Sequence, residues 1–91
     1  MIKYLIEFIG TFIFVGVTLN VMNKKLDWAP LAIGLSLTAI ILWGGGHFNP
    51  VISIISNLNK QLSKNDLIYY MSAQILGGIS ALYLYVNMND I

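Results

Sequence analysis

The sequence predicts an all-α membrane protein with three membrane helices and a re-entrant loop that continues into a half-helix. Hydrophobic residues make up 57% of the 91-residue chain and charged residues 10%, whereas an ordinary soluble domain carries about 25% charged residues. Two uncharged stretches approach or reach the length that crosses a bilayer, and a third is interrupted by three glycines and an Asn-Pro pair. The length allows one domain, residues 1–91, and the expected location is a membrane that the chain crosses several times.

The first apolar segment predicts a helix over about residues 2–22. Its uncharged part begins at Phe8 and is slightly shorter than the roughly 20 residues of a spanning helix, so preceding residues are included and Glu7 falls inside the membrane. A carboxyl group at that depth is costly, which indicates that Glu7 hydrogen-bonds to another part of the chain. The alternative is a helix-end glutamate that reaches the lipid headgroups. The small residues Gly10 and Gly16 favour close packing against another helix.

The second apolar run is too long for one span and is broken at Gly44. A helix over about residues 30–43, with Pro30 in its first turn, is about 21 Å long at about 1.5 Å per residue. It is therefore shorter than the hydrocarbon core of a bilayer, which is about 30 Å thick. The glycine-rich loop is expected to begin inside the membrane.

The re-entrant loop and half-helix occupy about residues 44–58. Asn49 is a preferred N-cap and Pro50 a preferred first helical residue, so a helix is expected to start there and run about 13 Å, roughly half a bilayer. Irregular backbone at membrane depth is tolerated only where protein covers it or water reaches it. Other helices are therefore expected around this loop. The polar residues 57–66 that follow predict a surface loop.

The last segment predicts a helix over about residues 67–86, long enough to span a membrane. Small residues recur at every fourth position and predict a seam for helix packing: Ala73, Gly77 and Ala81. Tyrosines near both ends are typical of membrane interfaces: Tyr69, Tyr70, Tyr83 and Tyr85. Met1 and the polar residues 87–90 indicate natural chain ends, and a fragment of a longer protein is the alternative.

Composition argues against several other functions. Five basic residues, all lysine, and a net charge of +1 provide no basic face for nucleic acid. The chain has no cysteine, and its one histidine, His47, has only Glu7 as another ionisable group at membrane depth, so no metal site is expected. Nothing resembles a nucleophile beside a base, so we expect neither an enzyme nor a cofactor.

Four motifs, in this order, resemble one half of the major intrinsic proteins, the family of aquaporins and glycerol facilitators. Residues 7–12 resemble the Glu-x-x-Gly-Thr signature that opens each repeat, and residues 29–35 are similar to the start of the second helix of the second repeat. Residues 45–51 correspond to the loop Gly-Ala-His-x-Asn-Pro-Ala, and residues 73–77 resemble the Ala-Gln start of a third helix. Together the motifs cover nearly the whole chain.

The resemblance implies a fold in which two such halves insert in opposite orientation and their half-helices meet at the bilayer centre. It implies that Asn49 donates its side-chain amide to passing water and that the preceding carbonyl groups form a ladder of acceptors: Gly45, Gly46, His47 and Phe48. Glu7 is then expected to hold the backbone N–H groups of the loop. Two alternatives stay open, namely that Asn49 is only a helix cap and that His47 is a gate rather than a structural loop residue.

The sequence departs from the family pattern at three points, and the first two bear on selectivity. Val51 stands where the loop carries alanine after Asn-Pro, and Ile52 stands where the second repeat carries a filter arginine. We therefore expect weak or altered selectivity. The spacing from Gly34 to the loop is about one helical turn shorter than the family pattern, so the pore-lining residues of the second helix are not assigned.

The chain carries one half of this fold, and one half cannot enclose a pore. Three lysines on one predicted side face two on the other, which gives little orientation bias: Lys3, Lys60 and Lys64 against Lys24 and Lys25. We hypothesise that two chains pair antiparallel about a two-fold axis in the membrane plane and conduct water or a small neutral solute such as glycerol. The alternative is a non-conducting membrane interaction protein that packs against itself or against full-length family members.

Overall fold

The computed structural model describes residues 1–22 and 24–89, and the regular elements of this part are helices joined by turns and loops. Four helices follow one another along the chain: α1 Ile2–Met22, α2 Ala29–Gly44, α3 Pro50–Leu58 and α4 Lys64–Asn89. Asn23, at the start of the first polar turn, and Asp90, in the polar C-terminal end, lie outside the described residues. The observed bounds of α1, α2 and α3 agree with the predicted ones to within one residue.

The start of α4 differs from the prediction, because residues 64–66 are helical and not part of a surface loop. The hydroxyl group of Ser63 accepts a hydrogen bond from the backbone N–H of Asp66 at 3.0 Å, which is the geometry of a helix N-cap. The side chain of Asp66 also accepts hydrogen bonds from Lys3, at 2.8 Å, and from Tyr4. These contacts tie the first turn of α4 to the first turn of α1, and they extend the helix into the polar stretch.

The loop between α2 and α3 begins with a left-handed residue. α2 ends at Gly44, and Gly45 has a φ of 69° and donates its backbone N–H to the carbonyl of Ile41 at 2.8 Å. A positive φ is favoured by glycine because no Cβ atom clashes with the backbone. The chain therefore leaves α2 sharply and reaches Pro50 after five loop residues, 45–49.

α1 is the central element of the bundle. It packs against α4 along one side and against α2 along another, while α3 packs against α4. A Cβ atom placed on Gly77 would lie 2.5 Å from the backbone oxygen of Phe8, so the backbones of α1 and α4 are in close contact there. Ala81, one turn further along α4, is 2% exposed, and Ala73 is half-buried.

The packing role of Gly16 stays a prediction, and the surroundings of this glycine differ from those of Gly10. A Cβ atom placed on Gly16 would have no neighbour within 4 Å, whereas one on Gly10 would clash with Phe48. The two glycines are six positions apart, which at about 3.6 residues per turn puts them on different faces of α1. One face meets the loop and the other does not.

Two of the helices are long and apolar enough to cross a membrane, α1 with 21 residues and α4 with 26. At about 1.5 Å per residue they are about 31 and 39 Å long, which exceeds the roughly 30 Å hydrocarbon core. α2 has 16 residues, about 24 Å, so its crossing of the membrane stays a prediction. Large apolar side chains cover the outside of the bundle, including Leu42 at 82% and Leu31 at 63% exposure.

Candidate channel-lining site

Polar side chains occupy part of the interior of the bundle. The largest fully buried side chains are Gln74, Glu7 and Ser53. They come from α4, α1 and α3 respectively, and all of them carry hydrogen-bonding groups. Buried polar groups are stable only when they are hydrogen-bonded. The partners of these three side chains therefore identify what the fold is built to hold.

The Glu7 carboxylate holds the backbone of the loop. Its Oε2 atom accepts a hydrogen bond from the N–H of His47 at 2.7 Å, and its Oε1 atom accepts one from the N–H of Phe48 at 2.8 Å. Oε1 also accepts a hydrogen bond from Nε2 of Gln74 at 2.8 Å. Three donors thus converge on one carboxylate that is 0% exposed, and hydrogen bonds to a charged acceptor are the stronger kind. Glu7 fixes the loop to both α1 and α4.

A second set of hydrogen bonds fixes the His47 side chain. Nε2 of Gln74 donates to Oγ of Ser53 at 2.9 Å, and Oγ of Ser53 lies 2.9 Å from Nδ1 of His47. Ser53 thus links the imidazole of His47 to the amide of Gln74.

Phe48 is the anchor of the loop, although its role in packing was not predicted. It has a φ of 59°, which is uncommon for a residue other than glycine, and its side chain is 2% exposed. Cβ atoms placed on Gly10 and Gly46 would lie 2.0 Å and 2.9 Å from atoms of its ring. The two glycines have no side chains and leave the space that the Phe48 ring occupies, which we call the Phe48 seat. The packing of the ring in this space turns the loop backbone.

The loop presents backbone acceptors and a side-chain donor that make no hydrogen bond within the described residues. Among the described residues, the carbonyl oxygens of Gly45, Gly46, His47 and Phe48 accept no hydrogen bond. Asn49 has an extended φ of −155°, and its Oδ1 atom caps α3 by accepting from the N–H of Val51 at 2.8 Å. Its Nδ2 atom makes no hydrogen bond within the described residues, and the residue is exposed.

Gly46, His47, Phe48 and Asn49 of the loop border a concavity of about 310 Å³, which we call the channel-wall concavity. Its wall is formed by residues of α1, α2, the loop and α3: Phe14, Leu37, Ile41, Gly46, His47, Phe48, Asn49 and Ile52. No charged side chain is among them. α2 and α3 do not pack against each other within the described residues, so the concavity is not closed between these two helices.

The predicted site residues therefore divide into two groups. Gly46, His47, Phe48, Asn49 and Ile52 border the channel-wall concavity, and Ile52 is 48% exposed there. Gly45, Pro50 and Val51 are not among its lining residues.

Sequence reasoning missed three wall residues and one member of the hydrogen-bond network. Phe14 lies seven positions after Glu7, and Ser53 lies four positions after Asn49, so each shares a helix face with the earlier residue. That spacing is the signal that could have found them. Leu37 and Ile41 are four positions apart on α2, but nothing in the sequence states which face of α2 meets the loop.

The fold and the site define a helical membrane protein in which a buried carboxylate holds a loop with free carbonyl groups. Comparison with known proteins gives its family. The chain is 43% identical over 89 residues to glycerol uptake facilitator protein-like 6 of Lactiplantibacillus plantarum, an alignment covering 89% of the chain and 41% of that protein. It is 35% identical over 91 residues to aquaporin NIP3-1 of Arabidopsis thaliana, covering 87% of the chain and 28% of that protein. It is 33% identical over 88 residues to aquaporin Z of Brucella melitensis, with 82% and 39% covered.

These similarities confirm the resemblance to the major intrinsic protein family, and the chain corresponds to a single half-repeat of that family. It spans less than half the length of each of these relatives. No protein-family model matches the chain, and no solved structure matches it.

Proposed function

We propose that the chain is one half of a passive channel for water or a small neutral solute such as glycerol, completed by a second chain in antiparallel orientation. The observation that carries this proposal is the combination of free carbonyl groups and a free Asn49 amide at the edge of the channel-wall concavity. The similarity to glycerol facilitators and aquaporins supports the same class of solute.

A permeating hydroxyl group would find both kinds of hydrogen-bonding partner along this wall. It can donate to the carbonyl oxygens of the loop and accept from Nδ2 of Asn49, while the apolar side chains of Phe14, Leu37 and Ile41 bind it only weakly. Weak successive binding allows a solute to leave as well as to enter. The N-terminus of α3 carries a partial positive charge that disfavours cations. Neutral solutes are therefore the favoured class.

Ile52 bears on selectivity. It stands on the wall at the position where the resemblance implies a filter arginine, and no charged side chain replaces that donor among the wall residues. An aliphatic side chain offers no hydrogen bond with which to discriminate between solutes. We therefore propose weak selectivity between water and small polyols.

A second chain is needed because the wall is open. Loop backbone at membrane depth has to be covered by protein or water, and the exposed residues Asn49 and Val51 lie at the start of α3. A two-fold axis in the membrane plane beside Asn49 would bring the two loops together and close the passage. The near balance of lysines between the two ends supports insertion in both orientations.

Osmotic shock of liposomes containing the purified chain tests conduction. We expect water or glycerol flux above that of empty liposomes for the wild type, and flux close to the empty control for Asn49→Leu. Asn87→Leu is the matched control, because within the described residues Nδ2 of Asn87 bonds only to the carbonyl of Tyr83 near the end of α4. Wild-type flux no higher than that of empty liposomes under both gradients would refute the channel.

Disulfide cross-linking tests the antiparallel pairing, and the chain has no cysteine of its own. Val51 and Leu58 lie at opposite ends of α3 and are 62% and 71% exposed. We expect Val51→Cys to form disulfide-linked dimers in membranes, since residues beside a two-fold axis meet their own copies. Leu58→Cys, which the pairing puts on opposite membrane faces, should remain monomeric. Cross-linking at Leu58→Cys instead would contradict the antiparallel arrangement.

The chain's length, less than half that of its relatives, favours one competing function. In this alternative function, the chain conducts nothing and packs against full-length family members. Glu7 would still hold the loop there, so Glu7→Gln would destabilise the fold, while the flux would equal that of empty liposomes for the wild type and the variant alike. Loss of flux in that variant supports the channel.

A further inference from the structure

A second concavity lies beside Asn49, away from the channel wall. It has a volume of about 430 Å³ and is bounded by α1, α4 and the start of α3, and we call it the side concavity. Its lining residues are Thr11, Phe14, Val15, Phe48, Asn49, Pro50, Gln74, Ile75, Gly78 and Ile79. Phe14, Phe48 and Asn49 are shared with the channel-wall concavity, so these residues separate two different spaces.

Two buried polar atoms at the side concavity have no partner. Among the described residues, Oγ1 of Thr11 and Oε1 of Gln74 are buried and make no hydrogen bond. Thr11 is 5% exposed and Gln74 is 2% exposed. An unpaired buried polar atom costs free energy comparable to a lost hydrogen bond. Two such atoms beside one space therefore point to a missing ligand.

Thr11 differs from the other threonines of the chain. Thr18 and Thr38 each donate their hydroxyl group to the carbonyl four residues earlier, at 2.8 Å in both cases. This local bond is the usual way for a threonine inside a helix to satisfy its hydroxyl group. Thr11 does not make it, so its hydroxyl group stays available to a group outside the chain.

Gln74 cannot turn its amide to satisfy the free oxygen. Its Nε2 atom donates to Glu7 and to Ser53, at 2.8 and 2.9 Å. A rotation that exchanged the amide oxygen and nitrogen would place the oxygen against the Glu7 carboxylate, where two acceptors would face each other. Oε1 therefore requires a donor from elsewhere.

We propose that the side concavity binds a hydroxyl group, supplied by a water molecule or by a small polyol such as glycerol. A hydroxyl group can donate its one hydrogen to Oε1 of Gln74 while its oxygen accepts the hydroxyl hydrogen of Thr11. A group that can only donate or only accept hydrogen bonds would satisfy Oε1 of Gln74 and Oγ1 of Thr11 less completely. Ions are disfavoured, because no charged side chain lines the space.

The size of the side concavity fits this class of ligand. Its volume of about 430 Å³ exceeds the roughly 30 Å³ that one water occupies in the liquid, so a three-carbon polyol also fits. Thr11 and Gln74 both line this space, and the lining residues Ile75 and Ile79 are 50% and 58% exposed, so the space opens to the surface of the chain. All of its lining residues belong to one chain.

The side-chain amide of Gln74 is a direct reporter of this site. The chain has two glutamines, Gln74 and the exposed Gln61, so a glutamine-¹⁵N-labelled sample gives two side-chain amide signals, assigned with Gln61→Ala. In micelles of the full chain, we expect magnetisation transfer from water to the Gln74 amide, which reports bound water. A shift of that signal on addition of glycerol, beyond the shift of Gln61, reports a bound polyol. A Gln74 signal that receives no transfer and does not shift with glycerol overturns the proposal.

Substitutions at threonine test which side chain holds the ligand. Thr11→Val is expected to weaken glycerol binding about two- to tenfold, or to remove the water transfer, since one hydrogen bond is lost. Thr11→Ser keeps the hydroxyl group and should bind as the wild type does. Thr18→Val is the matched control, because in the described part of the chain that hydroxyl bonds only to the carbonyl of Phe14 within α1. Equal binding by Thr11→Val and Thr18→Val overturns the role of Thr11.

The swelling assay is separate, so loss of conduction with an intact Gln74 response refutes the channel and leaves the hydroxyl site standing.

Discussion

At the scale of single residues, the site depends on side chains that meet the loop backbone from two sides. The Glu7 carboxylate receives the N–H groups of His47 and Phe48, and the Phe48 ring occupies the space left by Gly10 and Gly46. The hydrogen bonds to Glu7 hold the loop electrostatically, and the packing of the Phe48 ring holds it sterically. Both keep the loop carbonyl groups free for a ligand.

Glu7→Gln is expected to destabilise the fold by about 1–3 kcal/mol, because an amide nitrogen would then face a backbone N–H and leave a buried donor unpaired. Flux through liposomes should fall with it. The free energy of unfolding in mixed micelles and the swelling rate measure the two effects. Asp27→Asn, in an exposed turn, is the control. A Glu7→Gln chain that is as stable and as conductive as the wild type would argue against loop support by the carboxylate.

Gly10→Ala is expected to cost about 1–3 kcal/mol, because the added methyl group would overlap the Phe48 ring and overpack its seat. Gly16→Ala adds the same atom to the same helix where nothing lies within 4 Å. It should be neutral or stabilise by about 0.5–1 kcal/mol, since alanine is the better helix former. Equal effects of the two substitutions on unfolding would contradict the Phe48 seat.

At the scale of elements, local signals predicted most of the helices. Pro30 and Pro50 lie in first turns, and the glycine triplet separates α2 from α3 as expected. The start of α4 escaped prediction because it depends on a tertiary contact, that of Asp66 with Lys3 and Tyr4, in addition to the Ser63 cap. The face of α2 that meets the loop was not predicted either, for the same reason. It is fixed by packing against α1, which no local pattern encodes.

The contact between α1 and α4 gives an element-scale prediction with adjacent residues. Gly77→Ala would bring a methyl group to 2.5 Å from the backbone oxygen of Phe8, and backbone cannot move aside without separating the helices. We expect a loss of about 1–3 kcal/mol in unfolding free energy. Gly78→Ala would lie 3.7 Å from the Val15 side chain, an ordinary contact, and should leave stability unchanged. The opposite order of the two effects would mean that α1 and α4 pack through another face.

At the scale of the whole molecule, the chain is a half that presents an unfinished surface. The channel-wall concavity is open where α2 and α3 part, and the loop beside it carries free hydrogen-bonding groups. The family motifs in the sequence predicted this half-repeat, and the comparisons confirmed the resemblance. The hydrogen-bond network of Gln74, Ser53 and His47 was not predicted, because its members come from three parts of the chain that only the fold brings together.

The central claim is that two oppositely inserted chains form one channel, and its most direct test uses variants of fixed orientation. Replacing Lys24 and Lys25 by glutamine in one variant, and Lys60 and Lys64 in another, removes positive charge from opposite ends and should bias the two variants to opposite orientations. A single introduced cysteine, labelled from one side of intact cells, verifies the orientation of each variant.

Osmotic permeability of cells is then measured for each variant alone and for both together. We predict permeability near that of cells without the protein for either variant alone, and recovery of wild-type permeability when both are produced together. Full permeability from one variant of uniform orientation would contradict the antiparallel channel.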